Sequence, residues 1–237
     1  TNDTELPDEA GKLIISAGEG SGFNAGGSIN VKADGDIVNG YFKADSAITL
    51  ESGGDLYIRR VESQTLAPIS LKSGLAINFI GEGAIVGGDL ALDMGQSWGS
   101  ETAPFIVNLP DGAKLKVVSG GDIYLKSISG YDLIIDHISA GGNVSLISPA
   151  GIRVIGDKSN GDIIAQGNLY MEAEYIGSSD RYVKIKAGGN INAVTSGNIY
   201  IEGIEGDLKV DSIDAGVNGA IYIKSVGNII ANSIAGM

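Results

Sequence analysis

One short pattern dominates the chain: one or two small residues, usually glycine, then Asp or Asn, then an apolar residue, any residue and a second apolar residue. It stands at Gly53-Gly54-Asp55-Leu56-Tyr57-Ile58, Gly87-Gly88-Asp89-Leu90-Ala91-Leu92, Gly120-Gly121-Asp122-Ile123-Tyr124-Leu125 and Gly141-Gly142-Asn143-Val144-Ser145-Leu146. It returns at Gly188-Gly189-Asn190-Ile191-Asn192-Ala193, Gly197-Asn198-Ile199-Tyr200-Ile201, Gly206-Asp207-Leu208-Lys209-Val210 and Gly227-Asn228-Ile229-Ile230-Ala231. Apolar, any, apolar is a period of two, so each unit predicts a short strand with one face buried. The Gly-Asp or Gly-Asn before it reads as a positive-φ turn that starts the strand.

The first apolar positions fall at Ile29, Ile37, Ile48, Leu56, Ile69, Ile77 and Leu90, so that every second step sums to 19 or 21 residues. Ile123 to Val144, Val144 to Ile163 and Ile163 to Val183 repeat that interval at 21, 19 and 20. Two-residue hairpins need a much shorter spacing, and βαβ units need a crossover with helical periodicity, which is absent. A chain that returns to the same place about every 20 residues is a β-solenoid. The fold class is therefore all-β, a parallel β-helix with about 20 residues per coil. Extra apolar stretches at Tyr41-Phe42, Val61, Ile128, Ile138, Ile204, Ile213 and Val226 predict a third strand per coil and a roughly triangular section. The 237 residues would form 11 or 12 coils, a rod of about 55 Å at the strand spacing of about 4.8 Å.

Two stretches break the rhythm. Residues 1–25 are expected to form an irregular first coil or cap, ahead of a single solenoid over 26–237. Residues 93–114, with Trp98, Pro104 and Pro110, are expected to be a loop thrown out from one coil. At the far end the repeat runs almost to Met237 without a polar cap, which predicts an internal fragment of a longer protein.

Composition removes several functions. With 29 acidic against 16 basic residues, a net charge of −13 repels phosphate backbones, so no nucleic-acid partner is expected. No apolar run reaches the roughly 18 residues of a membrane span, and no membrane insertion by this segment is expected. With no Cys and one His, thiolate chemistry and thiolate metal sites are absent. No cofactor and no metal site is implied, because the Asp in Gly53-Gly54-Asp55 stands too early for a calcium-binding nonapeptide repeat. Gly18-Glu19-Gly20-Ser21-Gly22 lacks the Lys and helix of a phosphate loop and reads as an irregular turn.

Few constellations suggest catalysis. Asp136 and His137 are adjacent, and strict alternation would place them on opposite strand faces. Asp157, Asp162, Asp180 and Arg181 form the nearest thing to an acidic cluster of the kind glycan-cleaving β-helices use. Most of these Asp residues neighbour glycine, where an Asx turn is the plainer explanation. Tyrosine placement points instead to binding. Tyr57, Tyr124, Tyr170, Tyr200 and Tyr222 each occupy the middle of an apolar, Tyr, apolar triplet and so face outward. Tyr200 and Tyr222, one coil apart, are expected to be neighbours within stacking distance and are the candidate ligand contacts, with Trp98 as the competing one.

The repeats Gly120-Gly121-Asp122-Ile123-Tyr124-Leu125-Lys126-Ser127 and Gly141-Gly142-Asn143-Val144-Ser145-Leu146-Ile147-Ser148 resemble those of filamentous-haemagglutinin-like exoproteins of bacterial two-partner secretion, large adhesins and leukotoxin-type repeat proteins among them. The resemblance runs from about Gly26 onward. It implies a right-handed parallel β-helix in a secreted or cell-surface protein, with a role as adhesive fibre, cytolysin or toxin-presenting stalk. With regular coils and no catalytic set, the chain is expected to be a structural and adhesive segment, an elongated stalk or fibre in adhesion or toxin presentation, and not an enzyme. The implied partners are a host-cell or bacterial surface receptor, with a glycan as one form it could take, and an outer-membrane transporter that engages a region not in this chain. The Asn-Pro-Asn-Gly type element of the family's secretion domain is absent, which assigns this stretch to the internal repeats. The alternative reading from the same architecture is a β-helical glycan lyase or hydrolase, and fold alone does not separate the two.

Overall fold

The computed structural model describes residues 13–14, 22–38, 41–156 and 158–236. Among them there is no helix: the chain is a parallel β-solenoid of about ten turns, about 21 residues apart. Its strands lie in two sheets, of thirteen and eleven strands. The chain alternates between the two sheets, and all the pairing between named strands is parallel. Ten strands on the main path of the smaller sheet give a stack about 45 Å long at the spacing of about 4.8 Å.

Register follows the apolar pattern. In the smaller sheet Ile29 pairs with Ile48, Ile48 with Ile69, Ile69 with Leu90 and Leu90 with Leu115. In the larger sheet Ile123 pairs with Val144, Val144 with Leu169, Leu169 with Ile191 and Ile191 with Val210. These side chains are buried and form one continuous core between the sheets. Like residues stack on like, so each coil covers the apolar face of the next.

Four expectations need correction. Val144 does not stack on Ile163: its partner is Leu169, while Ile163 belongs to the smaller sheet opposite Ile138. A coil of 25 residues stands at both places, and such longer coils, with Leu90 to Leu115 another, reduce the count from 11 or 12 to about ten. The third strand exists without making a third sheet. Tyr41–Ala44 pairs with the second half of Leu56–Ser63, which reaches the larger sheet through an irregularity between Ile58 and Arg60. Phe42, Val61, Ile85 and Val107 fill that corner, fully buried, whereas Ile128 and Val226 are exposed.

With one exception the glycines of the repeat do not supply positive φ. Left-handed glycines occur at Gly99, Gly112, Gly156, Gly161, Gly177, Gly206 and Gly216, and of these only Gly206, before Asp207-Leu208, opens a repeat unit, while none stands in a Gly-Gly-Asp or Gly-Gly-Asn unit. Gly141 sits instead directly over Gly120. A Cβ there would run into the Gly120 carbonyl oxygen and lie 2.8 Å from its carbonyl carbon. The Asp or Asn that follows is likewise not a local turn former. Asp122 Oδ1 accepts the backbone N–H of Asn143 at 2.6 Å, Asn143 Oδ1 that of Asn168 at 2.8 Å, and Asn168 Oδ1 that of Asn190 at 2.8 Å. The repeat thus codes for contact between coils: glycine lets two turns close up, and the carboxylate or amide ties each turn to the next.

The fourth correction concerns residues 93–114. Trp98 is fully buried, packs on Phe105, and keeps a ladder position: its N–H donates to Asp122 O at 2.7 Å and its carbonyl accepts from Tyr124 N at 2.8 Å. Ser97 Oγ accepts the Asp122 N–H at 3.0 Å, the role Asp has elsewhere. Gly95-Gln96-Ser97-Trp98 is a degenerate repeat unit, with Ser for Asp and Trp for the apolar residue. Phe105–Asn108 then forms a strand of the larger sheet.

Candidate functional site

The outer face of the smaller sheet over its last coils brings aromatic and charged side chains into contact. Val183–Ala187, Ile199–Gly203 and Ile221–Ser225 lie side by side with Tyr200 opposite Tyr222, Lys184 opposite Glu202, and Glu202 opposite Lys224. Ile199, Ile201, Val183 and Ile185 point into the core, so alternation sends Lys184, Tyr200 and Glu202 outward. Exact in-register stacking of parallel strands turns a residue recurring once per coil into a row along the solenoid. That is why two tyrosines 22 residues apart meet.

The Tyr200 and Tyr222 rings stack with centroids 4.6 Å apart and planes 4° from parallel. Tyr182 meets Tyr200 edge-on at 5.4 Å, and Lys224 Nζ lies 3.8 Å from the centre of the Tyr182 ring. Loss of water contact, and then the neighbouring Tyr222 and Tyr182, raise the Tyr200 hydroxyl above its ordinary pKa of 10.0. Beside this shelf runs the row Lys184, Glu202, Lys224, whose alternating charges favour one another across strands.

A cavity of about 260 Å³ adjoins the row, lined by Asp162, Asp180, Arg181 and Tyr182 among others. Of the acidic cluster read from the sequence, Asp162, Asp180 and Arg181 therefore do converge, while Asp157 lies outside the described residues. Asp162 is 1% exposed. Its backbone N–H donates to Lys184 O at 2.8 Å and its Oδ2 accepts the Lys184 N–H at 2.9 Å, while Oδ1 has no hydrogen-bond partner. Burial raises its pKa, against the lowering effect of the Lys184 N–H and the nearby cations. This carboxyl ties one coil to the next. Its exposure is too small for it to reach a polysaccharide. Tyr200 also borders a second cavity, of about 420 Å³, with Tyr175 and Asn198. The Tyr175 hydroxyl donates to Asp132 Oδ2 at 2.6 Å, and its pKa is pushed up to about 12 by burial and by that carboxylate.

The remaining candidates separate. Tyr57, Tyr124 and Tyr170 project from the larger sheet, so the five outward tyrosines fall on two faces. Trp98, fully buried, offers no ring to a ligand, because it fills the core position an aliphatic residue has in other coils. Asp136 and His137 depart from alternation: the ladder slips between Leu115 and Lys116, whose partners are Ile135 and His137, and both side chains are half-buried. Asp136 is engaged by Lys158 at 2.9 Å. Among the described residues no three acidic or imidazole side chains converge as a metal site. The Gly18-Glu19-Gly20-Ser21-Gly22 turn lies almost wholly outside those residues.

A family model described as Hemagglutinin repeat matches residues 16–149, more than half of the chain. The chain belongs to the hemagglutinin repeat family. No curated protein and no solved structure matches it. The family is a structural, adhesin-type one and not an enzymatic one, and membership implies a secreted or surface-exposed protein. The matched stretch stops short of the tyrosine shelf, yet the ladders continue through Ile191–Thr195 and Leu208–Asp214 to Ile229–Ala235. The hemagglutinin repeat chain is thus an adhesin-like repeat segment whose aromatic face lies beyond the residues that identify the family.

Proposed function

We propose that this hemagglutinin repeat segment is an elongated stalk of a secreted bacterial exoprotein, serving adhesion or toxin presentation, and that it is not an enzyme. On this reading delivery to the surface runs through an outer-membrane transporter engaged by a region outside this chain. The observation that carries the adhesive role is the Tyr200–Tyr222 stack at 4.6 Å, flanked by Tyr182. The stack covers the facing sides of the two rings and leaves Tyr222 exposed, an apolar ring surface of the kind that supports sugar rings and partner side chains. At a net charge of −13, a neutral glycan or a basic patch on a host-cell or bacterial receptor suits the face better than an anionic polymer. Beads coated with the chain and applied to cultured host cells test this. Tyr200→Ser/Tyr222→Ser is expected to retain the strand circular dichroism spectrum and lose most bead attachment. Attachment equal to that of the unaltered chain refutes the shelf as the contact.

A further inference from the structure

The larger sheet carries a second concavity that does not depend on the Tyr200–Tyr222 shelf. Residues Tyr124, Ser145, Tyr170 and Asn192 are register partners in four successive coils. Their row faces outward, since Ile123, Leu125, Val144, Leu146, Leu169 and Met171 beside them are all buried. The row reads aromatic, small, aromatic, small. Tyr124 and Tyr170 are two strand steps apart, about 10 Å at the parallel spacing, with only a serine between them. A six-membered ring centred in that gap would lie about 5 Å from each tyrosine, inside the range of about 4.5–7 Å over which rings interact.

The surroundings make this gap a groove. A cavity of about 570 Å³ occupies it, with Pro104 and Glu101 of the segment before Phe105–Asn108 lining it as well. That volume lies within the range of about 300–1,000 Å³ common for small-molecule sites. Tyr170 is held in place: its hydroxyl donates to Glu172 Oε2 at 2.6 Å, which together with burial pushes its pKa up to about 12. Asn143 and Asn168 border the same groove. Each uses Oδ1 to accept the next coil's backbone N–H, which orients its amide. An Asn amide carries both acceptor and donor groups, and the Ser145 hydroxyl does both as well, the pairing that sugar hydroxyls require. Glu101 is the sole formal charge among the described lining residues, so the site has nothing to neutralise an anionic ligand.

We propose that the groove between Tyr124 and Tyr170 is a carbohydrate site that takes one ring of a neutral oligosaccharide, floored by Ser145 and hydrogen-bonded by the Asn amides. The immobilised chain is probed with an array of neutral hexose and N-acetylhexosamine oligosaccharides beside sialylated and sulfated ones. A retained neutral oligosaccharide is then titrated in solution against variants. Ser145→Tyr, which continues the outward aromatic row and fills the gap, is expected to weaken binding at least tenfold with an unchanged melting profile. Tyr170→Ser is expected to weaken it similarly and carries the test if Ser145→Tyr lowers the melting temperature. Tyr200→Ser/Tyr222→Ser is expected to leave this binding unchanged; if it abolishes binding instead, the sugar sits on the shelf and the groove is refuted. Retention of only anionic glycans, retention of none, or full affinity in well-folded Ser145→Tyr or Tyr170→Ser overturns the proposal.

Discussion

Replacing Gly141 by Ala tests what the repeat glycines are for. If they supplied conformational freedom, a residue with ordinary φ would accept alanine, and Gly141 is not among the left-handed positions. The structure predicts the opposite, because the new methyl would overlap the Gly120 carbonyl oxygen and stand 2.8 Å from its carbon. Both atoms are backbone, fixed by the ladder hydrogen bond from Gly141 N–H to Ser119 O at 3.0 Å, so no side chain can swing aside. The coils must part or tilt locally, and overpacking of this kind costs about 1–3 kcal/mol. At about 2–4 °C per kcal/mol for a chain of this size, the melting temperature falls by several degrees. Gly130→Ala is the control: a Cβ there meets nothing within 4 Å, and alanine restricts the unfolded chain, so stability is expected to be unchanged or slightly raised. Circular dichroism melts read the difference, and hydrogen exchange should locate the loosening at the 119–121 and 140–142 turns. Equal melting temperatures for Gly141→Ala and Gly130→Ala would falsify the close-approach account.

Ile191→Asp places a carboxylate at a core position with no exposure and is expected to cost several kcal/mol, whereas Asn192→Asp on the outward face should cost well under about 1 kcal/mol; similar urea midpoints for the two would reverse the inside and outside assignment. Trp98→Ala empties a fully buried ladder position and should lose about 3–5 kcal/mol in thermal unfolding, and a melt matching the unaltered chain would return Trp98 to an exposed loop. Asp162 has a folded pKa raised above its ordinary 3.8 by burial, so its native state holds the proton more tightly than the unfolded chain. The destabilisation is absent below the ordinary value, grows as pH rises through it, and is complete above the raised pKa. The stability of Asp162→Asn relative to the unaltered chain should therefore increase from pH 3 to pH 7 in paired urea titrations, and a gap independent of pH would show that the carboxyl is not desolvated.

The local pattern was sufficient for the architecture. Alternating apolar residues at an interval of about 20 can bury a continuous face only by stacking, so Ile29, Ile48, Ile69 and Leu90 were legible as one ladder and Ile37, Leu56 and Ile77 as another. In-register parallel stacking follows from that, and with it the meeting of Tyr200 and Tyr222. What one sequence could not decide was which sheet a given strand joins once the interval varies. Near Val144 the 25-residue coils shift the alternation, and only the tertiary pairing assigns Ile163 to the smaller sheet and Leu169 to the larger. The same allocation puts Tyr124 and Tyr170 on one face and Tyr200 and Tyr222 on another, and it opens a groove at Ser145 that no local motif marks. Glycine and Asp or Asn were visible as punctuation, but their task lies between coils, where a carbonyl one turn away excludes a Cβ and an amide one turn away needs an acceptor. Trp98 looked like a departure from the repeat because its side chain is unusual for the position, yet burial depends on where the backbone runs, and there the ladder runs through it.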